Sequence, residues 1–324
     1  MTLDEVLSNH SDQLDSIVKV GFTDQYERIL GAATKDVQKQ LTERLKITDG
    51  KVANTISNHK TLATVDDMFK EALDANGFGD LLQSYTDKFD GQFESFNSVL
   101  AHVSGELKYP LPPVTFTKGK IATINLQKVK AQELLRGVTE LAAMRAKAQA
   151  LQSVGALTPR ELAASVSETL GTSLAQAETI ADTSISTFYR TITDKGYQQI
   201  EADLPGFKIR YKYLGPLDRI TRPFCTKLEV ASRAGRSWTR DQINRMNNGQ
   251  KMPVFTTCGG FNCRHQWIIS ASDLNQEQKT KEVPAKTDKK LNKMDLQEEI
   301  RARRKAHKIV NKKLYMLQSR NDAK

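Results

Sequence analysis

The chain has 324 residues, of which 39% are hydrophobic and 27% charged, the balance of a soluble protein with room for two domains. No run approaches the roughly 18 apolar residues that a membrane span needs, and the N-terminus is acidic and polar, unlike a signal peptide. We therefore expect no membrane partner. Three cysteines, an odd and low number, argue against a secreted disulfide framework and favour assembly in a reducing cytoplasm.

The net charge of +10 is concentrated in two segments. Residues 208–245 contain ten basic and three acidic side chains, and residues 275–324 contain fifteen basic and seven acidic ones. The rest of the chain is net acidic. These two segments, and not the whole protein, are candidates for contact with phosphate groups or acidic proteins. For the C-terminal segment, a solvated charged face is the alternative interpretation.

The first 107 residues are predicted to form a helical N-terminal arm. They contain no proline, and one stripe recurs at helical spacing through Leu30, Ala33, Val37, Leu41 and Leu45. The strongest helix is predicted over 23–47 with Thr23 as its N-cap, and shorter helices over 61–105. Because such polar helices need a further surface to bury their stripe, we expect an interaction arm.

Three prolines in the segment 108–117 predict a stiff extended connector. A long packing helix is predicted after it, over 125–153. Thr158 and Glu161 are then predicted to form a capping box at the start of the next helix. Ser173 is predicted to cap the helix that follows in the same way. The result is a helical hairpin that leads into the C-terminal half.

Apolar and basic residues alternate over 207–214, which predicts a half-buried strand, and 266–270 is predicted as a second strand. The fold class is therefore α+β, a mostly helical chain with a small antiparallel sheet in its C-terminal half. The polar composition after residue 272 predicts a linker and then a basic helix over 291–317. The predicted organisation is an arm (1–107), a connector (108–117), an α+β domain (118–272) and a linker with a basic C-terminal helix (273–324).

All three cysteines lie close to one histidine in the sequence. Cys225, Cys258, Cys263 and His265 together offer three sulfurs and one nitrogen, the usual ligand inventory of a structural zinc site. The spacing is looser than that of Cys-x-x-Cys pairs, so three interpretations stay open: a structural zinc, packed or hydrogen-bonded thiols, and a disulfide. Arg264 is predicted to point away from this cluster, toward a partner.

Two stretches of the same region carry a family resemblance. GPLDRITRPFC from Gly215 and GGFNCRH from Gly259 resemble the C-terminal signature of the Mu F-like minor head proteins of tailed bacteriophages. The match continues upstream through GALTP from Gly155 and AETIADT from Ala177, so it covers roughly residues 155–270.

The resemblance implies a low-copy structural or assembly component of a virion. Its partners would be the portal or the major capsid protein, and it would lie inside the capsid or at the portal vertex after assembly in the host cytoplasm. In some relatives the module is attached to toxins. The chain departs from the family at Asp182 and Ser184, where Arg and Glu are common.

Asp218 has two interpretations. As an acceptor for guanidinium and backbone donors it would organise its loop. In a small nuclease- or toxin-like enzyme, Asp218, Arg222 and His265 would instead serve as acid, phosphate clamp and base. A second placed carboxylate or histidine is missing from that set, so we do not predict an enzyme.

Basic residues supply the candidate partner contacts. Arg222, Arg236 and Arg240 suit phosphate or an acidic protein rim. The tail candidates are Arg301, Arg303, Arg304, Leu314 and Leu317. Packaged DNA would engage the arginines alone, as in a nucleic-acid-binding virion protein, whereas a groove on the portal or shell would also need the leucines as anchors. We favour the groove.

Overall fold

The structure, a computed structural model, describes residues 3–108, 110–204 and 209–270. The predicted linker and basic helix lie outside these ranges, as do the tail candidates Arg301, Arg303, Arg304, Leu314 and Leu317. The described residues belong to one compact unit that is mostly helical and carries a small antiparallel sheet in its C-terminal half. The predicted α+β class is confirmed.

Nine α-helices build the described chain up to Asp203, which we call the helical body. They are α1 (Leu3–Val18), α2 (Asp24–Arg44), α3 (Ile56–Leu62), α4 (Val65–Ala75), α5 (Phe78–Asp87), α6 (Gly91–Leu107), α7 (Lys118–Gln152), α8 (Pro159–Gly171) and α9 (Ser173–Asp203). A short hairpin of β1 (Ile47–Thr48) and β2 (Lys51–Val52) follows α2. No helix within the described ranges combines the length and apolar character that a membrane crossing requires.

Capping explains one predicted helix start and fails at two others. Thr158 and Glu161 form the predicted capping box at the start of α8. Thr23 caps nothing, because a π-helical turn, Lys19–Thr23, makes α1 and α2 continuous and keeps Thr23 helical. Ser173 is already inside α9, and its hydroxyl donates to a carbonyl of the preceding turn.

The predicted apolar stripe of α2 is buried within the chain. Its members are Leu30, Ala33, Val37, Leu41 and Leu45. They lie on a helix that packs against α4 and α8. The stripe therefore needs no external surface, which removes the physical reason for expecting an interaction arm.

Residues 110–117 form the extended connector between α6 and α7. Its Phe116 ring lies 5.2 Å from the ring of Phe93 and 6.0 Å from that of Phe96, both on α6. Helices on both sides of the connector share one hydrophobic core, and α9 packs against α1, α6 and α7. The connector does not separate two cores.

Residues 209–270, which we call the C-terminal module, contain the sheet. β3 (Tyr211–Leu214) pairs antiparallel with β4 (Gln266–Ile269), and Tyr213 lies opposite Trp267. Both predicted strands are confirmed. Three helices lie between them in sequence: α10 (Pro223–Arg233), α11 (Arg240–Asn244) and α12 (Val254–Thr257). The module sits on the body through contacts of α12 with α9.

Candidate metal centre

The turns of the C-terminal module bring three of the four predicted ligands together. Cys225 lies in the first turn of α10, Cys263 in the loop after α12, and His265 just before β4. One ligand atom from each lies within 4.8 Å of the other two, and all three side chains are buried. This cluster, which we call the metal centre, could hold a metal ion.

The distances within the metal centre suit a tetrahedral ion. Cys225 Sγ lies 3.8 Å from Cys263 Sγ, which lies 3.9 Å from His265 Nδ1. Two sulfurs bound at about 2.3 Å to a tetrahedral zinc ion are roughly 3.8 Å apart. The three cysteines are free thiols in this structure, so the disulfide interpretation has no support from it.

Cys258 lies beside the metal centre and not within it. The residue ends α12 with a positive φ of 52° and is fully buried. Its thiol interacts with the Cys263 sulfur by a hydrogen bond. The geometry therefore gives two sulfurs and one nitrogen as a compact group, with Cys258 as a neighbour, whereas the sequence offered all four residues as candidate ligands.

Cys263 is the sulfur best stabilised as a thiolate. Hydrogen bonds from the Cys225 and Cys258 thiols lower the pKa of Cys263 and outweigh the effect of its burial. The backbone N–H of Gly259 donates to the same sulfur at 3.2 Å. Hydrogen bonding to Cys263 raises the pKa of Cys225. Since metal ions bind the thiolate form, this donor set suits a cation.

Tyr213 of β3 covers one side of the metal centre. Its hydroxyl lies 3.4 Å from Cys225 Sγ and 3.6 Å from Cys263 Sγ. Its ring stacks on the His265 imidazole with centroids 5.1 Å apart and planes at 10°. Burial raises the pKa of Tyr213 far above its ordinary value, so the phenol stays a hydrogen-bond donor to sulfur. The tyrosine thereby fixes both the imidazole plane and the sulfurs.

Two glycines leave room for the metal centre. A Cβ atom on Gly259 would lie 2.3 Å from Cys225 Sγ and 3.2 Å from Cys263 Sγ. One on Gly215 would lie 2.7 Å from the His265 ring and 2.9 Å from the His265 Cα. These separations are far below van der Waals contact, so any side chain at either position would displace a ligand.

Arg190 ties the metal centre to the helical body. The side chain projects from α9 and is buried; its Nε donates to the His265 carbonyl at 3.0 Å, and Nη2 donates to the Cys263 carbonyl. Sequence reasoning missed this residue. A usable signal existed, because Arg190 is the one charged residue in the stretch between Asp182 and Asp194, which is otherwise apolar and hydroxyl-bearing.

Asp218 organises its loop, in agreement with the first interpretation. Its Oδ1 accepts from the Ile220 N–H at 3.1 Å and the Thr221 hydroxyl at 2.9 Å, and Oδ2 accepts from Arg264 at 2.6 Å. Burial opposes ionisation, but hydrogen bonds from Arg264 and Thr221 outweigh it and lower the pKa of Asp218. Arg264 therefore pairs within the chain, and its contact with a partner stays a prediction.

The metal centre opens into a cleft. The rim is formed by Ile220, Thr221, Arg222, Asn262 and Arg264, and the three ligands line the inner end. Arg222 immediately precedes α10. Its positive charge acts to lower the pKa of Cys225, against the larger opposite effect of the hydrogen bond to Cys263. The Asp218 carboxylate borders this cleft through its bonds to Ile220, Thr221 and Arg264.

Arg240 and Arg236 are the other two arginines predicted to contact phosphate or an acidic partner, and only Arg236 lies at the surface. Arg240 pairs with Asp194 and Glu201 of α9 and stacks over the Phe255 ring at 4.2 Å. Its guanidinium is therefore engaged inside the chain. Arg236 is exposed and lies over the Trp238 ring at 5.5 Å, so it keeps a surface position.

No family model, curated protein or solved structure gives a significant match to this chain.

Proposed function

We propose that this protein is a non-catalytic head assembly component of a tailed bacteriophage, related to the Mu F-like minor head proteins. It docks on the portal or the inner face of the capsid and stays in the virion in few copies. Zinc bound by Cys225, Cys263 and His265 closes its C-terminal module. The resemblance supports the biological role, and the positions of the three ligands support the metal.

One observation carries the proposal: separate stretches of the resemblance contact one another. Asp218 of the first stretch pairs with Arg264 of the second, 46 residues later. The Asn262 N–H donates to the Thr183 hydroxyl of the upstream stretch at 3.1 Å. Residues of a signature that contact each other in this way maintain a fold, which favours a structural role over catalysis.

Zinc fits the donor set better than other common ions. Thiolate and imidazole ligands favour zinc over magnesium or calcium, which prefer oxygen. In a module of short elements, the free energy of binding the ion adds directly to the free energy of folding. The chemistry that zinc would supply here is a cross-link between α10 and the loop before β4.

The role is tested on purified particles of the phage that encodes the chain. Mass spectrometry is expected to find the protein in few copies relative to the portal, and the Gly215→Val variant is expected to be excluded from heads. The Gly171→Ala variant is the control, because nothing lies within 4 Å of a Cβ there. Absence of the wild-type chain from particles would contradict the proposal.

A second variant separates assembly from catalysis. Asn in place of Asp218 keeps the one oxygen that accepts from Ile220 and Thr221, loses the oxygen that pairs with Arg264, and cannot act as an acid or base. We expect Asp218→Asn to enter particles and to support infection. An incorporated Asp218→Asn chain whose particles are non-infectious would favour the enzyme interpretation.

A further inference from the structure

The cleft beside the metal centre carries one positive charge that the chain does not compensate. Its volume is about 200 Å³, and none of its lining residues is acidic. Arg264 on the rim pairs with Asp218, so the charge of Arg264 is balanced. The partly buried Arg222 lies on the same rim, and its guanidinium makes no hydrogen bond or ion pair with any residue in the described ranges. Arg222 is therefore available to a ligand.

Binding of zinc would leave this charge in place. Cys225 and Cys263 bind as thiolates, so their two negative charges balance one divalent ion, and His265 binds as a neutral imidazole. The loaded metal centre then adds no net charge to the cleft. The single positive charge of Arg222 stays uncompensated, which favours a ligand with a negative charge.

Apolar side chains flank the same cleft. Within the described part of the C-terminal module, the exposed large hydrophobic residues are Ile220, which is 70% exposed, and Phe261, which is 47% exposed. Ile220 lies on the rim, and Phe261 directly precedes Asn262 of the rim. Arginine and aromatic side chains are enriched at protein–protein interfaces. Free phosphate would engage only the arginine and leave both apolar side chains in water, so the combination favours a protein ligand.

We propose that this cleft binds an acidic segment of a partner protein, with one carboxylate on Arg222 and an adjacent apolar side chain against Ile220. Arginine presents a planar fork of donors that matches a carboxylate through two parallel hydrogen bonds. A pair held between two loops is less screened by solvent than one on an open surface, which strengthens it. The inference rests on the proposed zinc, and it names the surface through which the proposed assembly protein docks.

Two short peptides test the class of ligand on the full-length, zinc-loaded protein. In NMR spectra of isotope-labelled isoleucine methyl groups, acetyl-Leu-Glu-Leu-amide is expected to shift the Ile220 signal. The matched peptide acetyl-Leu-Gln-Leu-amide lacks the carboxylate and should bind at least about tenfold more weakly. Equal binding of the two peptides, or no shift with either, would overturn the proposal. Tighter binding of inorganic phosphate than of the Glu peptide would also overturn it, because the site would then serve a free anion.

The Arg222→Gln variant tests the residue. It is expected to bind the Glu peptide at least about tenfold more weakly than the wild type. Arg236→Gln is the matched control, since Arg236 is an exposed arginine of the same module that does not line the cleft. Wild-type affinity in Arg222→Gln would refute the proposal. A wild-type protein that takes up no zinc would contradict the metal centre and this inference with it, whereas a zinc-loaded wild type that ignores the Glu peptide would contradict this inference alone.

Discussion

In the helical body, aromatic rings pack in a continuous series between helices, with Tyr85, Phe89 and Phe188 at centroid distances of 5.1 and 4.9 Å. In the C-terminal module, the Trp267 ring packs near those of Trp238 and Phe255, and two thiols and an imidazole lie together as well. The buried guanidinium of Arg190 links the two regions. Both regions are thus stabilised by apolar burial, and the module adds polar contacts that a metal ion would complete.

This difference follows from the lengths of the elements. Body helices reach 35 residues in α7 and 31 in α9, so each buries a long apolar face. Module elements run from 4 residues in β3, β4 and α12 to 11 in α10. Short elements bury little apolar surface, and small folds with this deficit often rely on metals.

The largest effect is expected in the body, from Phe188→Ala. The ring is fully buried, so its loss should cost about 3–5 kcal/mol of unfolding free energy, measured by urea denaturation. Phe261→Ala is the control, because Phe261 is 47% exposed and should change stability little. If folded Phe188→Ala protein lost its metal, the stability of the body and the metal binding of the module would not be separate properties.

Arg190→Met should affect both regions at once. The substitution leaves the buried carbonyls of Cys263 and His265 without their guanidinium donor, which should cost about 2–4 kcal/mol. Thermal unfolding and metal content are both expected to fall. Arg160→Met, at an exposed position of α8, is the control, and equal effects of the two substitutions would show that Arg190 is not the link.

Gly259→Ala sharpens the comparison within the module. The new Cβ would lie 2.3 Å from Cys225 Sγ, so we expect loss of metal binding and about 1–3 kcal/mol of stability. Elemental analysis and urea denaturation measure the two effects. Gly171→Ala, in open space at the end of α8, should keep both unchanged or gain slightly. A Gly259→Ala protein that binds as much metal as the wild type would show that Cys225 is not a ligand at the position described here.

The smallest change in stability is expected from substitution of Asp182, and its size depends on pH. Burial raises its pKa to about 6, with Arg190 opposing, whereas an unfolded Asp titrates near about 3.9. Between these values the unfolded chain loses the proton while the folded chain keeps it, so stability falls as pH rises. Asp182→Asn should therefore gain about 1–2 kcal/mol at pH 7 and nothing below about pH 4. An equal gain at both pH values would contradict this cause.

Local patterns predicted much of the fold. Alternation of apolar and basic residues located β3, and Thr158 with Glu161 located the start of α8, because both signals act over a few residues. Thr23 failed as a cap because packing of α1 and α2 favours one continuous helix there. Tertiary context overrode a local preference.

The metal centre was only partly predictable. The concentration of cysteines and a histidine in this region predicted that Cys225, Cys263 and His265 lie together, and they do. Sequence spacing alone could not show that Cys258 lies outside this group, because the turn after α12 decides where its thiol points. The pairing of Arg264 with Asp218 joins residues 46 apart, and it depends on how two loops meet. Such contacts follow from the fold, which sequence patterns do not specify.

The metal content of four purified variants tests the central claim most directly. We expect about one zinc ion per wild-type chain, loss of zinc in Cys225→Ser and His265→Ala, and retention in Cys258→Ser, with X-ray absorption showing two sulfur ligands and one nitrogen ligand. Cys263→Ser should also lose the ion. A wild-type protein without metal, whose melting is the same with and without chelator, would contradict the account.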